Sequence, residues 1–139
     1  MNIENLEKKY HTASHRTYSC QYHVIFCPKY RRRVLVGGID VRLKELLIEK
    51  QVEYHYVLLA AEVMPDHVHI LIDVDPYWPV HRVVTNIKGY LSRILRDEFP
   101  KLKSRLPSLW THGKFISTVG SVSLEVVKQY IDNQKGRIQ

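Results

Sequence analysis

The stretch EVMPDHVHILIDV, residues 62–74, contains two histidines one residue apart inside an apolar run. Successive side chains of an extended strand point to opposite faces, so His67 and His69 are predicted to share one face. The alternate apolar side chains then point into a core on the other face. They are Val68, Ile70 and Ile72. This pattern predicts a half-buried strand with two imidazoles on its open face.

The segments on either side predict the rest of the architecture. Their order is the ferredoxin-like βαββαβ arrangement, an α+β fold with one antiparallel sheet and helices on one face, plus an additional C-terminal helix. A chain of 139 residues suits a single domain, residues 1–139. The predicted strands cover residues 17–28, 54–63, 67–74 and 109–119, and the second and third helices cover residues 80–99 and 122–135.

The two helices before the last strand show different patterns. The first is predicted to begin at Asp40 as its N-cap, with apolar side chains that include Val41 and Ile48. The second has apolar residues at three- and four-residue steps on one face and cations, including Lys88 and Arg93, on the other. That polar face fits a solvated surface and a DNA-facing surface equally well.

The formal charge of +7 and the pI near 9.5 favour a polyanionic partner, because Lys and Arg gain affinity for phosphates by counterion release. One dense cluster consists of Lys29, Arg31, Arg32 and Arg33, and nine tyrosines offer surfaces for base stacking. The two cysteines suit reduced thiols, and no apolar run is long enough to cross a bilayer. We therefore expect a cytoplasmic protein with no membrane partner, associated with the nucleoid when bound to DNA.

The last helix supplies further chemical groups. Tyr130 and Gln134 are four residues apart and therefore lie on one face of a helix. A phenol becomes a workable nucleophile where a divalent cation polarises the attacked phosphate, and a glutamine oxygen with two imidazoles suits Mg²⁺ or Mn²⁺. The residues alone leave a plainer alternative open, in which the tyrosine is half-buried on the sheet and the glutamine lies at the surface.

Three segments together resemble the single-tyrosine HUH transposases (TnpA type) of the insertion-sequence two-hundred/six-oh-five group. MPDHVHIL, residues 64–71, is similar to the His-hydrophobic-His motif of that family. YHVIFCPKYRRRVL, residues 22–35, resembles its first strand and basic turn, and YIDNQ, residues 130–134, its C-terminal tyrosine and glutamine. The resemblance extends from about residue 17 to the end of the chain.

This resemblance implies a metal-dependent enzyme that cleaves and rejoins single-stranded DNA at the ends of an insertion sequence. Tyr130 would form a 5′-phosphotyrosine, and His67, His69 and Gln134 would bind Mg²⁺ or Mn²⁺ at the scissile phosphate. The DNA ends would be recognised as hairpins by a homodimer. Gly120, between the last strand and the tyrosine helix, would act as a hinge that lets each helix dock on its partner's sheet.

Other functions fit part of the pattern. A non-catalytic module of the RNA-recognition type shares the βαββαβ order but would carry exposed aromatic residues on its central strands. A histidine-triad hydrolase would need a third alternating histidine where Leu71 stands. Another HUH nuclease, either a replication initiator or a domesticated relative that cuts genomic hairpins, remains the nearest alternative.

Overall fold

A computed structural model describes residues 20–119 and 129–133 of the chain. Residues 20–119 contain four strands and three helices, together with a 3₁₀ turn at Lys29–Arg31. None of the helices in these ranges is long and apolar enough to cross a membrane. The strands are β1 Gln21–Phe26, β2 Tyr56–Met64, β3 His67–Val74 and β4 Phe115–Thr118; the helices are α1 Ile39–Glu49, α2 Val80–Glu98 and α3 Lys101–Arg105.

The strands form one antiparallel sheet in the order β2-β3-β1-β4. The first and third strands are therefore central and the second and fourth lie at the edges, which is the strand order of a ferredoxin-like fold. This confirms the predicted α+β class. Residues 129–133 are helical, and the remainder of the predicted tyrosine helix lies outside the described residues.

Strand β3 is the inner partner of the hairpin and pairs with both β2 and β1. Its three alternate apolar side chains are fully buried, as predicted. They belong to one core cluster with side chains of α1 and α2. The helices therefore cover the face opposite the histidines. The buried residues are Val68, Ile70 and Ile72 on β3, Leu43 and Leu46 on α1, and Ile87 and Leu91 on α2.

The predicted start of α1 is wrong. The N-cap is Gly38, whose φ of 97° lies in the left-handed region that glycine adopts without strain. Asp40 instead lies in the first turn, where its carboxylate interacts favourably with the helix dipole. The register also changes which side chains are buried: Ile39 packs in the core, while Val41 and Ile48 are exposed.

The last strand is shorter than predicted. Of residues 109–119, only Phe115–Thr118 pair as β4, and Trp110 instead forms an isolated bridge to Pro28. The Trp110 ring packs edge-on against Phe26 at 4.7 Å between centroids. Pro100 lies between the end of α2 and the start of α3, and the basic segment 101–105 forms that short helix.

Cys27 is a buried free thiol immediately after β1. Burial raises its pKa to about 11, so the thiol stays protonated and unreactive near neutral pH. The prediction of a reduced cysteine at this position is consistent with that environment.

The core register of α1 can be tested with two substitutions in one helix. Leu46 is fully buried, and Leu46→Ala is expected to lower the free energy of unfolding by about 2–5 kcal/mol. Ile48 is 58% exposed, so Ile48→Ala is expected to change it by less than about 0.5 kcal/mol. Urea denaturation measures both values, and equal losses would contradict the observed register.

Candidate active site

His67 and His69 lie on the face of β3 opposite the helices, and each is partly exposed. Directly paired residues of neighbouring strands point to the same side of a sheet. His69 pairs with Glu62 on β2 and with Ile25 on β1, and Ile25 pairs in turn with Phe115 on β4. One row across the open face therefore runs from Glu62 through His69 and Ile25 to Phe115.

The orientation of His67 is set by the residue before it. Its Nδ1 lies 2.9 Å from Oδ1 of Asp66, a hydrogen bond that leaves Nε2 as the nitrogen able to bind a metal. Burial raises the pKa of Asp66, but the hydrogen bond with His67 and the charge of Arg31 outweigh burial and hold that pKa below its usual value. The carboxylate is therefore ionised at neutral pH. The sequence pattern alone did not indicate this role for Asp66.

His69 has a partner that sequence reasoning also missed. Its Nε2 lies 3.1 Å from Nδ1 of His23 on β1, and the ring centroids are 5.3 Å apart. Burial, and secondarily the nearby charge of His23, lower the pKa of His69. At neutral pH His69 is thus the neutral imidazole that a metal requires. The alternation of side chains along β1 could have indicated that His23 lies on the open face. Only the pairing of β1 with β3 brings His23 beside His69.

These groups fit a divalent cation. With bonds of about 2.1 Å, two nitrogens bound at a right angle to one cation lie about 3.0 Å apart, close to the 3.1 Å between His23 Nδ1 and His69 Nε2. Within residues 20–119 and 129–133, no three His, Cys, Asp or Glu side chains converge as a metal site. Side chains of these types in the described ranges therefore do not complete a metal site by themselves. Gln134, the predicted third ligand, and Gly120, the predicted hinge, lie outside the described residues.

Tyr130 is on the helical segment 129–133, and this segment packs against its own chain. The Tyr130 ring lies 5.2 Å from the Phe115 ring, centroid to centroid. Phe115 is in the same row as His69, so Tyr130 is on the open face that carries both histidines. The structure thus brings together three of the predicted site residues, Tyr130, His67 and His69, on one face of the sheet.

Arg31 connects this segment to the turn before β3. Its Nε donates to Oδ2 of Asp66 at 2.7 Å, and its Nη1 donates to the carbonyl oxygen of Ile131 at 2.9 Å. The same Nη1 lies 3.8 Å from Oδ1 of Asp132, whose side chain is 79% exposed. The Arg31 side chain is only 13% exposed. Predicted as a DNA contact, it is instead engaged inside the protein.

The other predicted DNA-binding cations divide into two groups. Arg32, Arg33 and Arg93 are exposed, and Lys29 is partly exposed beside the Tyr30 ring. Lys88 instead donates from Nζ to the carbonyl oxygens of Thr111 and Gly113, which holds the loop before β4. Burial lowers the pKa of Lys88 to about 8, with a smaller contribution from Lys114.

Two concave surfaces flank the site. A cavity of about 700 Å³ borders His23, Glu62, His69 and Leu71 and extends to Lys44 on α1. A smaller cleft of about 250 Å³ lies between Arg32 of the basic turn and Arg105 of α3. Two basic clusters far apart in sequence therefore adjoin in the fold, which concentrates positive charge on one surface.

Comparisons with known proteins place this geometry in a family. A family model described as "Transposase IS200 like" matches residues 16–134. The ISDra2 transposase TnpA of Deinococcus radiodurans is 34% identical over 119 residues, which covers 84% of this chain and 85% of that protein. The transposase for insertion sequence element IS200 of Salmonella typhimurium is 32% identical over 126 residues, covering 88% and 82%.

Solved structures agree with this result. A crystal structure of a Deinococcus radiodurans R1 protein described as a transposase has a TM-score of 0.78 and 34% identity, covering 86% of this chain and 93% of that chain. A REP-associated tyrosine transposase bound to a REP hairpin has a TM-score of 0.54 at 14% identity, covering 84% and 67%, and this likeness shows the fold alone. Because the family model matches most of the sequence and the relatives exceed 30% identity over most of their length, the chain belongs to the IS200-like transposase family.

Proposed function

We propose that this transposase cleaves and rejoins single-stranded DNA at the ends of an insertion sequence, with Tyr130 as the nucleophile. The observation that carries the proposal is the position of the Tyr130 ring, against Phe115 and on the same open face of the sheet as His67 and His69. In this proposal the nucleophile and the two metal ligands would approach one bound phosphodiester from the same face of the sheet.

The proposed reaction is a transesterification. The Tyr130 hydroxyl loses its proton as its oxygen attacks a phosphorus atom, and the new P–O bond forms a 5′-phosphotyrosine. The bond from phosphorus to the 3′-oxygen breaks, and that oxygen takes up a proton and leaves as a DNA 3′-hydroxyl. In the reverse step a 3′-hydroxyl attacks the phosphotyrosine and releases the phenol. One phosphodiester bond is exchanged for another each time, so rejoining needs no nucleotide cofactor.

His67, His69 and Gln134 would hold the cation, Mg²⁺ or Mn²⁺, at the scissile phosphate. When bound, the cation supplies charge stabilisation for the phosphate oxygens. The chain itself orients one of these ligands, because Asp66 accepts from Nδ1 of His67 and leaves Nε2 for the cation. Fixing this ring before the metal arrives lowers the entropy cost of binding it.

Recognition of hairpin ends would use the surface where the basic turn meets α3. Arg32 and Arg105 line the cleft there, and Arg33 is exposed beside them in sequence. One solved relative in fold is bound to a REP hairpin, which supports DNA of this shape as the partner. Arg31 and Lys88 contribute less to this surface because internal acceptors hold their head groups.

A homodimer would bring two DNA ends together for strand transfer, through a symmetric contact between like surfaces. Within one chain, residues 129–133 contact Arg31 of the basic turn and Phe115 of β4. The same contacts could be made with the sheet of a partner, which would produce two composite sites. Subunit exchange distinguishes the two arrangements.

Tyr130→Phe is expected to abolish the covalent protein–DNA adduct while hairpin binding stays within about twofold, because only the hydroxyl is removed and the ring still packs on Phe115. The measurement uses a labelled single-stranded end hairpin, Mg²⁺ and a denaturing gel, with a gel shift for binding. In the same assay, removal of metal by a chelator should abolish the adduct of the wild-type protein. His67→Ala should abolish it as well, although Tyr130 is intact in that variant. A Tyr130→Phe adduct would assign the nucleophile to another tyrosine.

Arg32 and Arg33 are expected to contact phosphates. The double substitution to alanine should reduce the slope of log affinity against log salt by up to about 1.4, at about 0.7 per single-strand contact. Arg42→Ala is the matched control, because Glu98 accepts from that guanidinium at 2.8 and 3.1 Å and already balances its charge. Equal salt slopes for the double variant and the control would show that DNA binds at another surface.

Mixing Tyr130→Phe with His67→Ala protein, under conditions of subunit exchange, tests the dimer. If the tyrosine acts on its partner's histidines, the heterodimer contains one intact site and cleavage returns to a fraction of the wild-type rate. If it acts on its own chain, each site keeps one lesion and cleavage stays absent. A labelled-subunit exchange assay confirms that heterodimers have formed.

A further inference from the structure

The Arg31 side chain makes two hydrogen bonds that lead to opposite sides of the site. Through Nε it binds Asp66, which in turn binds Nδ1 of His67. Through Nη1 it binds the main-chain carbonyl of Ile131, the residue after Tyr130. A continuous chain of three hydrogen bonds, of 2.7 to 2.9 Å, therefore joins the tyrosine segment to a predicted metal ligand.

We propose that Arg31 is a positioning residue that couples the docking of the tyrosine segment 129–133 to the orientation of the His67 imidazole. This inference rests on the proposed function for its catalytic meaning. Arg31 touches neither the reacting phosphate nor the metal in this role. It acts through Asp66 on one side and through the backbone of Ile131 on the other.

The backbone of the basic turn supports a fixed role for Arg31. Tyr30 and Arg31 have φ angles of 58° and 50°, in the left-handed region that side chains other than glycine seldom occupy. Two such residues in succession carry a conformational cost that the surrounding contacts must offset. The turn is also tied to the loop before β3 by the bond from the Leu35 N–H to the Pro65 carbonyl, 3.1 Å long. This geometry holds the Arg31 guanidinium beside Asp66.

Burial makes both bonds effective. The side chains of Arg31, Asp66 and His67 are only 13%, 14% and 16% exposed, so water competes weakly for their hydrogen bonds. The contact with Asp132 adds little, because that carboxylate is largely exposed and 3.8 Å away. The carbonyl of Ile131 and the carboxylate of Asp66 are therefore the two acceptors that matter.

A guanidinium is suited to this task because its N–H groups form a rigid fork that can reach two acceptors at once. A lysine ammonium is a single point charge and can satisfy the Asp66 carboxylate without reaching Ile131. Arg31→Lys should therefore separate the two functions. Backbone strain is the same in Arg31→Ala and Arg31→Lys, since both residues carry a Cβ at the same φ.

The test uses DNA-free protein, without metal except in a separate Mn²⁺ titration, so that its result does not depend on cleavage. Hydrogen exchange of residues 129–133 reports docking of the tyrosine segment, and the ¹⁵N resonances of His67 report which ring nitrogen carries the proton. Arg33→Ala is the matched control, because Arg33 is an exposed cation of the same turn. Each variant is first shown to melt cooperatively near the wild-type temperature.

Arg31→Ala is expected to raise exchange in residues 129–133 by about tenfold or more, as for loss of a charge-assisted hydrogen bond, and to reduce the preference for a proton on Nδ1 of His67. Arg31→Lys should keep the His67 signature but show the same faster exchange. Asp66→Asn should change the His67 signature and weaken Mn²⁺ binding by about 10- to 100-fold, the usual effect of removing such a partner.

Three results would overturn the proposal. In the first, Arg31→Ala shows the same hydrogen exchange and the same His67 ¹⁵N resonances as Arg33→Ala, so Arg31 affects neither the segment nor His67. In the second, Arg31→Ala changes hydrogen exchange alone, so Arg31 holds the tyrosine segment without affecting His67. Arg31→Lys could match the wild type in both measurements, which would show that the guanidinium fork is not required. Failure of the proposed function is a separate result: a wild-type protein that forms no adduct with DNA.

Discussion

The alternation of side chains along β3 is the constraint on which the rest of the structure depends. The strand is central in the sheet, and its inward side chains, Val68, Ile70 and Ile72, are fully buried. A slip of one residue would exchange the two faces and place His67 and His69 in the apolar core. Imidazoles there would lose their hydrogen-bond partners at a cost of a few kcal/mol. The burial that stabilises the fold therefore also keeps the histidines on the open face.

The positive charge of the chain has two uses that composition does not separate. Arg31 and Lys88 organise the site from within: one binds Asp66 and Ile131, and the other holds the loop that leads into β4. Arg32 and Arg105 face solvent around one cleft, and Arg33, next to Arg32 in sequence, is also exposed. Internal cations have carbonyl or carboxylate acceptors within hydrogen-bonding distance, which fixes them in place. The exposed ones keep the freedom to neutralise phosphates, and counterion release at that surface would drive DNA binding.

Packing of the tyrosine segment on its own sheet gives the family assignment a physical basis in this chain. Phe115 receives the Tyr130 ring, and β4 is short and paired only with β1, so this edge of the sheet is open to a docked helix. The loop before β4 is held by Lys88 and by the Trp110 indole, whose N–H donates to the Lys88 carbonyl. Precise placement of one aromatic side chain at the edge of a sheet thus depends on contacts made on the opposite side of the domain.

Sequence by itself determined the strand with its two histidines, the order of elements and the apolar face of α2, because each rests on a local period of two or 3.6 residues that burial reinforces. The family resemblance added the tyrosine and the expected chemistry. Tertiary structure decided what no period encodes. Strand pairing places His23 beside His69, and the left-handed turn places Arg31 beside Asp66. The N-cap of α1 is Gly38 rather than Asp40. The two side-chain pairs join residues 46 and 35 positions apart, and the bond from Arg31 to Ile131 joins residues 100 positions apart. Only the folded chain brings such residues within hydrogen-bonding distance.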